Sequence, residues 1–187
     1  MLGGGNSVST IPDHSVFDPA TGKWTAAALL PRAEGSPAAV VFGGKIWAIG
    51  GRSGFSDYGD VYVYDPATDA WTAGPSLSPR GTAGAAVIGD AIYVFGGESQ
   101  PASKVLADVF RLRADETKWT RVAALPTPRN YARAVVFRGG IYVVGGSTSF
   151  GNSHGAHGST VVNRFVPSTR PAARWCRCVP GGAPRTR

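Results

Sequence analysis

Ala83-Gly-Ala-Ala-Val-Ile88, Gly89-Asp90, Ala91-Ile-Tyr-Val-Phe95, Gly96-Gly97 is the stretch whose reading decides the fold. Two short apolar runs flank a two-residue joint that contains glycine. A tight β-hairpin needs such a joint, because positive φ falls there. Both runs are nearly pure apolar, which predicts strands buried on both faces.

The same grammar recurs on either side. Gly43-Gly44 and Gly139-Gly140 fill the joint slot. Gly50-Gly51, Gly96-Gly97 and Gly145-Gly146 are spaced by 46 and 49 residues, Trp24, Trp71 and Trp119 by 47 and 48. Pro31-Arg32, Pro79-Arg80 and Pro128-Arg129 follow at 48 and 49. The three series keep one phase, so the chain is a tandem repeat of about 47 residues. A third strand is read in Val61-Tyr-Val-Tyr64, with Val109-Phe-Arg-Leu112 and Ser15-Val-Phe17 in register. The turns Asp65-Pro-Ala-Thr68 and Asp18-Pro-Ala-Thr21 follow it, with Pro suited to the second turn position. The tryptophan then opens a fourth strand that ends near Leu77 or Leu125.

Four antiparallel strands with a buried inner pair describe a propeller blade. An apolar strand, Gly-Gly, an aromatic before Asp-Pro, then Trp and Pro-Arg resembles the kelch motif, over roughly residues 13–169. The resemblance implies an all-β, kelch-type β-propeller in which the tryptophan packs between blades. The expected organisation is the trailing half of a blade at 1–32, then blades at 33–78, 81–126 and 130–175, the last with a degenerate end. A basic, disordered tail at 176–187 follows. That amounts to about three and a half four-stranded blades, an incomplete propeller. An open arc leaves strand edges and blade faces for self-association. Closure by a tail strand or by a second chain is an alternative, but the start inside a repeat favours a fragment of a longer protein.

Composition agrees with an all-β reading. There are 19 valines, whereas Leu, Met, Lys, Gln and Glu together number 16. The net charge of +7 invites a nucleic-acid reading until it is divided. Residues 1–163 carry 13 basic and 12 acidic side chains, whereas residues 164–187 hold six arginines and no acid. The excess therefore belongs to a tail in which the repeat fades. Trp175 arrives about three residues late, and Cys176-Arg-Cys178 matches nothing upstream. A degenerate strand with a basic end, a shifted reading frame and a nucleic-acid arm stay open for it. No basic, aromatic-interleaved stripe supports the arm, and nucleic acid is not an expected partner. The two cysteines, one residue apart, supply half a zinc site at most. No apolar run is long enough to span a bilayer, and no signal peptide is visible. No compartment follows.

Loops between strands two and three (52–60, 98–107, 147–160) and between successive repeats (31–35, 78–82, 126–131) should emerge on one face. This face is expected to offer Glu34, Arg52, Tyr58, Thr82, Glu98, Asn130 and Tyr131 to a ligand. Asp60 and Asp108 read as turn-formers. His154 and His157, in the Gly/Ser-rich insertion, are weak metal candidates with no third ligand nearby. No cofactor is expected, and no catalytic triad, phosphate loop or acid–base pair stands out. The reading is a non-catalytic module that binds a protein or glycan. The alternative is part of a kelch-type carbohydrate-active enzyme, a copper-radical oxidase or a sugar mutarotase or epimerase. Whether the chain is an enzyme stays open, leaning against.

Overall fold

The computed structural model describes residues 1–5, 9–151, 158–167, 174–178 and 185–186, and every regular element among them is a strand. The first sheet is β1 (Leu2–Gly5), β2 (Thr10–Asp18) and β3 (Lys23–Ala27), in that order. The second is β4 (Ala38–Phe42), β5 (Lys45–Ser53), β6 (Ser56–Asp65) and β7 (Ala70–Ala73). The third begins with β8 (Gly84–Ile88) and β9 (Ala91–Phe95). A two-residue hairpin, β10 (Glu98–Ser99) with β11 (Lys104–Val105), leads to its outer strands β12 (Asp108–Arg113) and β13 (Thr120–Ala124). The fourth is β14 (Arg133–Phe137), β15 (Gly140–Val144), β16 (Val162–Val166), β17 (Arg174–Cys178) and a short β18 (Arg185–Thr186). Each sheet is an antiparallel meander, and the first strands β4, β8 and β14 of successive sheets contact one another. The molecule is an all-β, incomplete propeller of four antiparallel sheets.

Burial follows the hydrophobic pattern. All five residues of β9 are buried, whereas β3 and β7 are largely exposed. Two cores lie between sheets, and not within them. Ile49, Val61 and Leu77 of the second sheet pack on Ile92 and Val94 of the third. Tyr93, Phe95 and Val109 on the third sheet's other side pack on Ile141, Val143 and Phe165 of the fourth.

Register explains the tryptophan series. Phe17 pairs with Trp24, Tyr64 with Trp71 and Phe165 with Trp175, with ring centroids 5.1, 5.1 and 5.0 Å apart. Trp175 thus holds the repeat position although it comes three residues late, the extra residues lying between β16 and β17. The indole N–H of Trp71 donates to the Ala28 carbonyl at 2.8 Å, and that of Trp119 to the Pro75 carbonyl at 2.7 Å. Trp71 and Trp119 thus tie the second and third sheets to the ones before them, whereas the Trp175 indole N–H has no hydrogen-bond partner among the described residues. β17 carries regular pairing past residue 175 to Cys178, and Arg185–Thr186 adds a further pairing. The remaining tail residues 179–184 and 187 lie outside the described residues.

The paired glycines earn their place by close approach. Gly50 and Gly51, Gly96 and Gly97, and Gly145 and Gly146 all have positive φ. A Cβ on Gly97 would stand 2.6 Å from the Gly81 carbonyl oxygen, and one on Gly146 2.4 Å from that of Asn130. The hairpin glycine Gly89 also has positive φ, but open space surrounds it. Gly97→Ala is therefore expected to cost at least about 2 kcal/mol, and Gly89→Ala about 1 kcal/mol. Urea unfolding of the two variants beside the parent chain checks this; equal losses would remove the close-approach explanation.

Candidate functional site

The loop face is built where each Gly-Gly pair ends. Isolated antiparallel bridges join Gly35 to Arg52, Gly81 to Glu98 and Asn130 to Ser147. Arg52, Glu98 and Ser147 therefore hold one register position in three sheets, each facing the loop that enters its own first strand. Beside them Ser36, Thr82 and Tyr131 share a second position, and all three are left-handed, with φ of 53°, 58° and 53°. Backbone of this kind in non-glycine residues costs energy and persists where the surroundings over-determine it. Here the Tyr131 N–H donates to the Thr82 carbonyl at 2.9 Å, linking consecutive loops.

The side chains at these positions form one network across three sheets. Arg52 makes an ion pair with Glu98, which is fully buried. The other Glu98 oxygen accepts from the Asn130 amide at 2.6 Å, and that amide also donates to the Ser149 carbonyl at 3.1 Å. The Arg52 guanidinium reaches the Tyr131 hydroxyl at 3.4 Å. Burial pushes the Tyr131 phenol up. Asp57, which sequence reasoning missed, sits beneath this group and accepts the Gln100 N–H at 2.5 Å. Burial raises its carboxyl, while that N–H and Arg52 lower it. Gly81 admits the cluster, since a Cβ there would stand 2.8 Å from an Asp57 oxygen and 3.2 Å from Arg52 Cδ. The sign of these groups gave no sequence signal, because Asp57 follows no repeat period.

Of the seven expected residues, the structure brings Arg52, Glu98, Asn130 and Tyr131 together. Thr82 contributes its backbone, and its hydroxyl is buried. Tyr58 stands apart under Arg32, whose guanidinium lies 4.2 Å from the ring centroid and also pairs with Asp60. Asp60 is thus an ion-pair partner, as is Asp108 with Arg121. Glu34, Thr82, Glu98 and Asn130 are buried, so they shape the face from beneath and do not meet a ligand directly. A fully exposed aromatic escaped the sequence reading. Phe55 is 90% exposed at the tip of the β5–β6 hairpin, whose base pairs Arg52 with Asp57 and Ser53 with Ser56. His154 and His157 lie outside the described residues, and among the described residues no cluster of His, Cys, Asp and Glu is placed to hold a metal. His14 is a core residue, packed on the Tyr64 and Trp71 rings, and burial lowers its pKa.

Glu34 shows where the Pro-Arg periodicity misleads. Ser36, Thr82 and Tyr131 are in register, so the residues two before them, Glu34, Arg80 and Arg129, occupy one slot. Arg80 and Arg129 are buried there and donate to the Gly96 and Gly145 carbonyls at 3.0 and 3.2 Å. In the first seam the slot holds a carboxyl whose two oxygens have no hydrogen-bond partner. Arg32 of the Pro-Arg pair lies two positions earlier and half exposed. Burial pushes the Glu34 carboxyl up to about 7, with Arg32 pulling it down and Asp60 pushing it up. The folded state thus holds this proton more tightly than the unfolded chain, whose value is 4.5. Its contribution to stability is full below about pH 4.5 and is lost as pH rises to about 7. The advantage of Glu34→Gln over the parent chain should grow by roughly 3 kcal/mol across that interval. Paired urea titrations at both ends check it, and a difference independent of pH would refute it. Arg52→Ala, in turn, leaves Glu98 buried without its cation and should cost about 3 kcal/mol, read by the same titrations at pH 7. A loss within the noise would mean that the pair carries no weight.

Comparison with known proteins agrees with this architecture. The Kelch motif family matches residues 35–78 and 79–126. Kelch-like protein 9 of Mus musculus is 36% identical over 80 residues, 41% of this chain and 13% of that protein. Kelch-like protein 13 of Homo sapiens is likewise 36% identical over 80 residues, 41% of this chain and 12% of its own length. The chain thus matches about an eighth of the length of these relatives. The solved structure of YjhT superposes with a TM-score of 0.74 at 18% identity, over 89% of this chain and 52% of that one. The chain is a kelch-repeat protein with the β-propeller fold.

Proposed function

We propose that this chain is a non-catalytic binding module that presents its loop face to a protein partner. The observation that carries the reading is Phe55, an aromatic ring left 90% exposed at a hairpin tip. Its hairpin stands on the buried Arg52–Glu98–Asn130 network. Exposed rings on a rigid base are effective anchors, since they bury much area on contact and lose little conformational freedom. Arg52, Tyr58 and Tyr131 supply half-buried polar and aromatic neighbours on the same face. The buried carboxylates are already committed: Glu98 to Arg52 and Asn130, Asp57 to the Gln100 N–H. That commitment fits a support for a binding surface better than an acid–base pair. A glycan is the other ligand class that an aromatic and polar surface of this kind takes.

The test is affinity capture with the parent chain, Phe55→Ala, and Lys118→Ala as a control in the distant β12–β13 turn, with bound proteins identified by mass spectrometry. Phe55→Ala should reduce capture of a specific protein at least about tenfold, the loss typical of an aromatic anchor, with Lys118→Ala unchanged. Equal capture by all three removes the loop face as the binding surface. Retention on a glycan array, lost in Phe55→Ala and without protein capture, would replace the protein partner by a glycan.

A further inference from the structure

A cavity of about 320 Å3 lies between the second and third sheets, beside the turns at the strand ends opposite the loop face. Trp47 of the β4–β5 hairpin, Pro75 after β7, and Leu112, Arg113 and Thr117 at the β12–β13 turn are among its walls. Register shows what the same place holds one seam earlier. Leu112 is equivalent to Tyr64, since they pair with Ile92 and Ile46. Thr117 is equivalent to Asp69, each standing two residues before the tryptophan that bonds back, Trp119 to Pro75 and Trp71 to Ala28. In the first seam one Asp69 oxygen accepts both the Ala28 N–H and the Tyr64 hydroxyl at 2.8 Å. The His14 ring packs there, its centroid 4.5 Å from that of Tyr64. In the second seam Leu112 has no hydroxyl, Thr117 no carboxylate and Pro75 no N–H, and Val61 takes the place of His14. The ring and carboxylate that the chain itself puts into the first seam have no counterpart in the second, and the cavity lies where they would be.

The walls set the chemistry of an occupant. The Trp47 indole N–H is committed to the Phe42 carbonyl at 3.1 Å, so the ring offers apolar surface, as do Leu112 and Pro75. Arg113 stands at the position that Asp65 holds in the second sheet, which reverses the sign at this turn. Glu116 accepts from the Arg111 guanidinium at 2.6 Å and from the Arg113 backbone N–H at 2.8 Å. The Arg113 guanidinium makes no hydrogen bond or ion pair with any described residue. The cavity therefore combines apolar walls with one uncommitted cation. We infer that this seam binds a small carboxylic acid with an aromatic body, its ring against Trp47 and its carboxylate on Arg113. A guanidinium receives a carboxylate through two parallel N–H donors, and an indole face takes a flat ring well. The volume, about that of ten waters, lies at the lower end for ligand sites and suits one ring with a short acidic arm. Such a molecule brings to the second seam the ring and carboxylate that Tyr64 and Asp69 bring to the first. The site shares no residue with the loop face.

Titration of the nitrogen-15-labelled chain with phenylacetate, and separately with the uncharged phenylacetamide, followed by two-dimensional NMR, reads the outcome. Phenylacetate should shift the Trp47 indole N–H and the Ala114 amide, both at the cavity, in a saturable way. Phenylacetamide has nearly the same shape and should bind at least about tenfold more weakly, for want of the charge-assisted bond. Arg113→Gln should bring the acid down to the affinity of the amide and leave the amide unchanged, with circular dichroism as in the parent chain. Phe55→Ala should bind phenylacetate as the parent does, which separates a failure here from a failure of the loop face. No saturable shift at Trp47 overturns the inference. Equal binding of acid and amide by the parent chain overturns it too, whatever the fate of the variant, because the cavity would then be apolar without recognising an anion. So does an Arg113→Gln chain that stays folded and keeps the parental affinity for phenylacetate.

Discussion

Everything in this molecule depends on how closely one sheet approaches the next at the paired glycines. After each second strand the backbone turns through two left-handed residues, and the carbonyl of the incoming loop lies where a side chain would begin. The amide of Gly51 donates to the Arg80 carbonyl, and that of Gly97 to the Arg129 carbonyl. These bonds fix the entry of the following first strand, and with it the wedge between sheets. The tryptophan bonds at the outer edge and the apolar cores between sheets then fill a gap whose shape is already set. A side chain at the glycine pair would open the wedge and separate both.

The same contact decides what stands on the loop face. Because the chain leaves each glycine pair in one geometry, the next residue of every repeat points to the same place, and evolution can vary its charge. Arg52 and Glu98 at equivalent positions in adjacent sheets become an ion pair. The slot two residues before the left-handed loop position works likewise. It takes arginine in two seams, where a guanidinium satisfies a glycine carbonyl, and a carboxyl in the first. The backbone specifies the positions, and side-chain sign gives each seam its own chemistry.

Much of this was legible in the sequence because glycine and tryptophan do work that no other residue does. Positive φ at close approach leaves only glycine, and a large ring with a donor at its edge leaves tryptophan, so both recur at a fixed period. The period failed where a backbone function can be met by any side chain. Pro31-Arg32 looked equivalent to Pro79-Arg80, but two inserted residues moved Arg32 out of the slot and Glu34 into it. Asp57 was invisible, since its role comes from sitting under a neighbouring repeat. Trp175 looked misplaced because extra residues between two paired strands shift numbering and leave pairing untouched. Phe55 was passed over although it lies in the 52–60 loop assigned to the face, because sequence alone does not separate an exposed loop aromatic from one folded back on the core. Placement of Arg52, Glu98, Asn130 and Tyr131 on one face followed from strand direction alone, whereas their joining into one network required the loop bridges.

The Trp71 and Trp119 bonds reach from the second and third sheets to the one before and no further. An array coupled in this way behaves as a row of nearest-neighbour links. A disturbance in one seam is felt strongly in the two adjoining sheets and fades beyond them. The third sheet is buried on both sides by Ile92, Val94, Phe95 and Val109, so its amides should exchange most slowly. Protection should then decline outward along the arc, a gradient of rigidity from the middle sheets to the outer ones.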